Sequence, residues 1–489
     1  MSRPTSNPCS TTPTTLFLFT RDLRLDDHAG LNEAAKYGEI VPALILGGRS
    51  RERLALSSKR AAFFCAAVGA LAEALAARKS ALVIRRGLLG ETVVRLAREV
   101  GAGTVVWSWA YDAAGVAEQR ALQSSLEEAG LRALGVHDAP IVAPDDTAAA
   151  RSSGGGTGYR AFAAYYANWS HVPRTSFTRN LSFTPAAHLS TEAPPQPVEF
   201  GSAADVAWTD PSAGLERFME NGALQYATMR HVPAIAGTSR LSPHLSFGTI
   251  SARAVLARVE QRAAAPFLLT EERLSLRAFA RALAQRDFFL QLAWFFEERP
   301  DDVLQGRMRS FRFARSHPAL DAWKEGRTGY PLIDAGMREL AATGWMHPHV
   351  RLVAASFFCF DLGVDWRVGR DAWDRHLIED DPPLATGNWQ WVAGVGADLA
   401  QYPRIFNPVR QAQRFDPSAV YVRRWIPELA TVPDADVLDP LGARRRTQLA
   451  LPLFDADAYP APVVDHREAA HAFLRRYALH VRASGSVSG

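Results

Sequence analysis

The segment Thr238-Ser239-Arg240-Leu241-Ser242 sets small hydroxyls, consecutive backbone N–H groups and one guanidinium just ahead of a helical pattern. Unpaired N–H groups at a helix start and a nearby Arg both favour an anion, so this segment can hold a diphosphate. The same five residues equally read as an ordinary helix cap. Further along, Arg307, Arg309, Arg312 and Arg315 interleave with Phe311 and Phe313. Cations alternating with aromatic rings can meet phosphates and stacked bases, and a solvated Arg-rich loop has the same composition. Arg444, Arg445 and Arg446 form a second basic run open to both readings. Cys9, Cys65 and Cys359 lie at no metal-binding spacing and are odd in number, which fits a reducing cytosol.

These residues need elements to position them. A chain of 489 residues is too long for one core, so two or more domains are expected. Over the first 140 residues, apolar runs at 16–20, 40–46, 81–84 and 104–108 read as strands, and 29–37, 59–77, 91–100 and 116–129 as helices. That alternation predicts a parallel, doubly wound sheet with helices on both faces. No Gly-x-Gly-x-x-Gly follows a strand, so the dinucleotide fingerprint is absent, and Gly154-Gly155-Gly156 reads as a flexible connector. From about 210 the pattern turns helical, with amphipathic stretches at 251–262, 274–298, 332–342 and 349–362. Nine of the twelve Trp lie from 208 onward, as a large helical core requires. The expected division is a disordered tail over 1–14, an α/β domain over 15–140, a linker over 141–205, a larger all-α domain over 206–480 and a short tail over 481–489. No apolar run approaches a membrane span and no signal peptide precedes the fold, so a cytoplasmic protein is expected. Net charge is only +4, yet 51 of the 55 basic residues are Arg, a bias that codon usage largely explains.

Asn388-Trp389-Gln390-Trp391, together with Thr343-Gly344-Trp345-Met346-His347 and Arg404-Ile405-Phe406-Asn407-Pro408, resembles the flavin-binding half of the DNA photolyase/cryptochrome family. The resemblance runs from Phe19-Thr-Arg-Asp-Leu-Arg-Leu-Asp26 to Trp425-Ile-Pro-Glu-Leu429 and is densest between 225 and 430. It implies an N-terminal α/β domain and a C-terminal helical domain holding a U-shaped FAD. Tyr226 and Thr238, Ser239, Arg240, Leu241 and Ser242 match the segment around the FAD diphosphate and ribityl chain. Arg286 and Trp345 match other pocket contacts. Arg351 matches the arginine lying against the isoalloxazine ring, and Glu379 takes the place of its usual aspartate partner. The resemblance implies that this pair survives with altered geometry, since Glu adds a methylene. Asp381 matches a second acidic contact. At the position facing flavin N5, usually Asn or Asp, stands Ala385, which can neither donate nor accept.

The family's electron path implies roles for Trp389 and Trp366 as its proximal and middle members, with core packing as the alternative. The surface member falls on Phe313, so electrons are expected to stop at Trp366 or to leave through another aromatic such as Trp323 or Trp373. The lesion pocket departs further. Its glutamate falls on Ala282, one tryptophan on Gln285, the asparagine on Pro348 and the methionine on Leu352, while Trp391 keeps the second tryptophan. Ala282 cannot hydrogen-bond a thymine carbonyl. His347 and His349 fall on no catalytic position and read as structural donors. Trp107, Trp109 and Tyr111 either line an antenna-chromophore pocket or pack the sheet; the antenna is not identified, because the folate positions near Ala114-Gly115 do not match.

Three functions remain open. The first is repair of UV-induced pyrimidine dimers by light-driven electron transfer from FAD, which would make the protein a deoxyribodipyrimidine photo-lyase. The second is a cryptochrome-like photoreceptor read by a protein signalling partner. The third is a flavin-bearing DNA-binding protein without light output. A monomer that binds UV-damaged DNA through its Arg-rich face, without a membrane, is the expected form.

Overall fold

Five short apolar runs become strands: β1 (Thr14–Phe19), β2 (Glu39–Leu46), β3 (Val83–Arg86), β4 (Ala102–Ser108) and β5 (Arg132–Val136). β1 and β2 are almost wholly buried, as strands covered on both faces must be. The computed structural model describes residues 13–148, 158–177, 180–202, 204, 209–296, 301–397, 403–442 and 459–485. The expected glycine connector at 154–156, the basic run at 444–446, most of the expected N-terminal tail and the end of the C-terminal one lie outside these residues.

All pairings are parallel and the order is β3-β2-β1-β4-β5. The chain therefore changes direction between β1 and β4, where α/β sheets open a crevice at their carboxyl ends. On one face α1 (Ala29–Ala34) and α2 (Ser58–Ala77) pack Leu31, Phe64 and Leu71 against Phe17 and Leu44. On the other, α3 (Leu89–Glu99) and α4 (Ala113–Glu128) bring Leu96 and Leu122 to Leu16 and Val105. The sheet is doubly wound, as expected.

Several boundaries differ from the sequence reading. β5 is absent from it: this edge strand carries Arg132 and Gly135 and is at best half-buried, so no apolar run betrays it. Thr14, expected in the tail, already opens β1. The stretch assigned to a linker contains α5 (Phe162–Trp169), which packs Tyr165 and Trp169 into the helical core. α2 also corrects the expectation that nothing reaches membrane-span length, since its 20 residues qualify by length and composition. Its apolar side faces the sheet, the ordinary place for such a helix in a folded domain.

The C-terminal half is helical. Its principal elements are α6 (Ser242–Ser246), α7 (Thr270–Phe295), α8 (Pro331–Thr343), α9 (Pro348–Ser356), α10 (Trp366–Asp374), α11 (Pro382–Ala393) and α12 (His466–Gly485). α12 carries helix into the expected C-terminal tail. The stretch expected as one helix over 349–362 divides into α9 and a wider turn at Phe357–Asp361. That wider turn aims Phe358 at Trp323 and Trp389 and Phe360 at Phe473 of α12.

Buried charge joins the halves. Arg53 donates to Asp374 and Asp380, and Arg60 donates to Asp374 from within α2. Asp287 of α7 accepts from the backbone N–H groups of Ile141 and Val142 and from Trp169 Nε1. Burial still pushes its carboxyl up to about 6.

Candidate functional site

The segment 379–381 is the hub of the site. Asp380 is drawn towards the α/β half by Arg53 at 2.8 and 2.6 Å, and its own N–H donates to Ser246 Oγ at 2.8 Å. With Asp380 facing one way, Glu379 turns into the helical half. There it accepts from Arg351 Nη2 at 2.9 Å and from Ser242 Oγ at 2.7 Å, both on Oε1. Arg351 is steadied by a second bond, Nε to the Met346 carbonyl at 2.8 Å. The ion pair expected from Arg351 and Glu379 is thus formed, with the longer Glu side chain accommodated by Ser242.

The pair faces a cavity of about 360 Å³. Of the residues expected to hold flavin, Ser239, Ser242, Arg286, Trp345, Arg351, Glu379, Asp381, Ala385 and Trp389 line it. Of those expected around a lesion, Ala282, Pro348 and Leu352 line it too. Tyr226, Thr238, Arg240 and Leu241 lie outside it. Tyr226 packs on Phe279, itself a wall residue, with ring centroids 5.1 Å apart. Arg240, at φ +53°, lays its guanidinium over Trp345 at 4.4 Å and so braces that wall. α6 does begin at Ser242, but its N-cap is Leu241 without a side-chain bond, so the hydroxyls of this segment are not spent on capping.

Gln285 is exposed, and Trp391 is half-buried with Arg404 over its ring at 5.6 Å. Asp381 caps α11, accepting from Leu384 N, and burial raises its carboxyl against the opposing pull of Arg286 and Arg21. His347 acts differently from the expected donor: its Nδ1 accepts from His349 N to cap α9. Burial pushes it down to about 3, so it is neutral at ordinary pH. Arg370 is a wall residue the sequence reading passed over. It lies on α10 one turn beyond Trp366 and donates to Thr386 Oγ1 at 3.2 Å, beside Ala385. The signal was the i, i+4 spacing of Arg370 from Trp366.

Two cavity groups are left unsatisfied by the protein. Glu379 Oε2 and Arg286 Nε are buried without a partner among the described residues. A buried polar group without a hydrogen bond costs about 1–3 kcal/mol, so the cavity calls for a ligand offering both a donor and acceptors. A flavin, with an imide N–H, ring carbonyls and ribityl hydroxyls, fits that demand.

The indoles are arranged differently from the expected path. Trp389 lies 4.6 Å from Trp373 and 6.4 Å from Trp323, while among the described residues no ring contact joins it to Trp366. A Cβ on Gly369 would meet Trp389 at 2.4 Å, so glycine is what lets α10 approach this ring. Phe313 is packed on Phe473 of α12 at 6.2 Å and Phe311 lies under Arg476. These rings therefore serve the core and are withdrawn from the basic-aromatic surface expected for nucleic acid, leaving Arg309, Arg312 and Arg315 exposed. Trp107, Trp109 and Tyr111 line a cleft at the carboxyl ends of the strands, and Trp107 also packs beneath the sheet.

Residues 15–186 match the DNA photolyase family, and residues 279–479 match the FAD-binding domain of DNA photolyase. The deoxyribodipyrimidine photo-lyase of Synechococcus sp. is 31% identical over 477 residues, which span 92% of this chain and 93% of that protein. The chain belongs to the DNA photolyase/cryptochrome family. Solved members superpose along nearly its whole length. A bacterial class III photolyase from Agrobacterium tumefaciens is 28% identical, with a TM-score of 0.81 over 98% of this chain and all (100%) of that one. The cryptochrome of Synechocystis sp. PCC6803 is 27% identical, with a TM-score of 0.84 over 95% of this chain and 99% of that one. FAD is accordingly the cofactor of this photolyase-family chain.

One consequence is local. Ser242→Ala removes a donor from Glu379 and should lower stability by about 1 kcal/mol, measured by thermal unfolding against wild type. An unchanged midpoint would mean that water or ligand already meets Glu379 there.

Proposed function

We propose that this protein is a light-driven DNA photolyase that uses FAD to split pyrimidine dimers in UV-damaged DNA. The observation that carries the reading is the meeting of the Arg351–Glu379 pair, the unsatisfied Glu379 Oε2 and Arg286 Nε, and Trp389 in one cavity. FAD when bound supplies light absorption and one-electron chemistry. Arg351 and Arg286 offer positive charge to it, Glu379 and the Ser239 and Ser242 hydroxyls orient it, and Trp345, held by Arg240, closes one wall. A dimer must be flipped from the duplex to reach such a cavity, and the exposed Arg309, Arg312 and Arg315 can meet its phosphates. The odd cysteine count fits a reducing cytoplasm, where the protein would act as a monomer on DNA.

The lesion side of the cavity favours a second reading. Ala282, Pro348 and Leu352 present no group to a thymine carbonyl, and Gln285 lies outside. A cryptochrome-like photoreceptor, in which a partner protein reads the flavin's redox state, needs none of those contacts. The deciding assay uses chemically reduced protein, an oligonucleotide bearing one cyclobutane thymine dimer, blue light and chromatographic detection of restored thymines. Restored thymines support the photolyase. None, with flavin bound and reduced, supports the photoreceptor. Replacing Ala282 by Glu and Gln285 by Trp together should tighten binding of dimer-bearing DNA by about 1–3 kcal/mol, read in a binding titration against undamaged DNA. No gain would show that Pro348 or the backbone closes the cavity to the lesion.

A further inference from the structure

Trp373, and not Trp366, shares the flavin cavity with Trp389. Both Trp373 and Trp389 line it. Their rings lie 4.6 Å apart, and Trp323 stacks on Trp373 at 5.9 Å with only 13° between the planes. Trp366 lies outside the cavity and carries the guanidiniums of Arg367 and Arg370 over its ring at 4.6 and 5.2 Å. Positive charge beside an indole opposes its oxidation, although Asp365, Asp301 and Asp371 pair with these arginines. Ring contact is therefore what distinguishes the two routes.

We propose that the electron lost by Trp389 is replaced from Trp373 and Trp323, so that the oxidising equivalent comes to rest on a buried, stacked indole pair. The balance is one electron throughout. Photoexcited flavin takes one electron from Trp389, Trp389 takes one from Trp373, and the deficit is shared with Trp323; no bond forms or breaks. The indole protons stay in place. Trp323 Nε1–H donates to the Ala354 carbonyl at 3.2 Å and Trp373 Nε1–H to Met337 Sδ at 3.4 Å, and neither acceptor is a base able to take a proton. The resting species is thus a protonated tryptophan cation radical. Trp323 is fully buried and Trp373 is 5% exposed, so a dissolved thiol reaches the pair poorly and the electron tends to return to Trp373 from the flavin.

This assignment rests on the flavin reading above, and the experiment separates the two. Flavin-free protein comes first: near-ultraviolet circular dichroism should contain a coupled signal from the stacked pair that is lost in Trp323→Phe. Flavin-loaded protein is then followed by flash photolysis with detection of the tryptophan radical. Trp389→Phe should abolish the radical; its persistence there, with flavin bound, would overturn the role of Trp389 and with it this route. Trp373→Phe should lose most of the radical yield and Trp366→Phe distinctly less. The opposite order, or a wild-type yield in Trp373→Phe, overturns the proposal while leaving the flavin reading intact. If Trp373→Phe holds flavin poorly, Trp323→Phe decides, because Trp323 lies outside the cavity: it should shorten the radical's lifetime several-fold, and an unchanged lifetime overturns the proposal. A deprotonated radical in the wild type would also overturn it.

Discussion

Arg351→Ala should leave the protein largely free of flavin. The guanidinium is the counter-ion of Glu379, whose carboxylate is only 9% exposed. Removing one partner of a buried pair costs roughly 3–5 kcal/mol when the remaining charge stays buried. Arg351 itself is 25% exposed, so solvent screens part of the interaction and the lower end applies. About 3 kcal/mol corresponds to a loss of roughly a hundredfold in affinity at about 1.4 kcal/mol per tenfold. The change also removes a positive charge from the cavity wall and frees the Met346 carbonyl that Arg351 Nε now satisfies. The ratio of flavin to protein absorbance after purification reports the effect, with circular dichroism confirming the fold. An unchanged flavin content would sink the assignment of this pair to the cofactor.

Asp380→Asn should have the other large effect, on stability. Asp380 accepts two bonds from Arg53 and lies near Arg21, so neutralising it removes the anion between the α/β half and the segment carrying Glu379. Arg53 keeps Asp374, which tempers the loss. A cost of about 3 kcal/mol is expected, read as a lower midpoint in thermal or urea unfolding. The pH dependence has a definite sign. Arg21, Arg53 and Arg60 overcome burial and hold the Asp380 carboxyl well below the usual carboxylate range. A carboxyl whose folded-state pKa is depressed contributes its full stability above the unfolded value, near about 4, and loses it as pH falls further. Wild type and Asp380→Asn should therefore differ most near neutrality and converge in acid. A gap that stays constant down to acid unfolding would mean that Asp380 acts through packing rather than charge.

Asp380 also shows why local reading has limits. In the sequence it is one of three consecutive acidic residues, 379–381, with nothing to distinguish it. Only folding sends Glu379 to Arg351, Asp380 to Arg53 and Asp381 to the start of α11, because successive side chains leave the extended backbone on different sides. The Trp assignments failed for a related reason. Trp366 and Trp373 sit on one helix, seven residues and about two turns apart, so both occupy nearly the same face. Sequence periodicity cannot say which meets Trp389; the position of α11 against α10, allowed by Gly369, decides it.

The sequence by itself determined the fold class, the cofactor class and most of the cavity wall. Strand–helix alternation and helical periodicity are local properties of the chain, and the long motifs around Trp345 and Trp389 fix which residues face the flavin. It also determined what the lesion side lacks, since Ala282, Pro348 and Leu352 carry no polar side-chain group wherever the backbone places them. Tertiary structure alone decided the edge strand β5, the helix within the supposed linker, the burial of Phe311 and Phe313 under α12, and the pairing of the indoles. Each of these depends on contacts between residues far apart in sequence, whose geometry is set by how helices and sheet pack and not by any local preference.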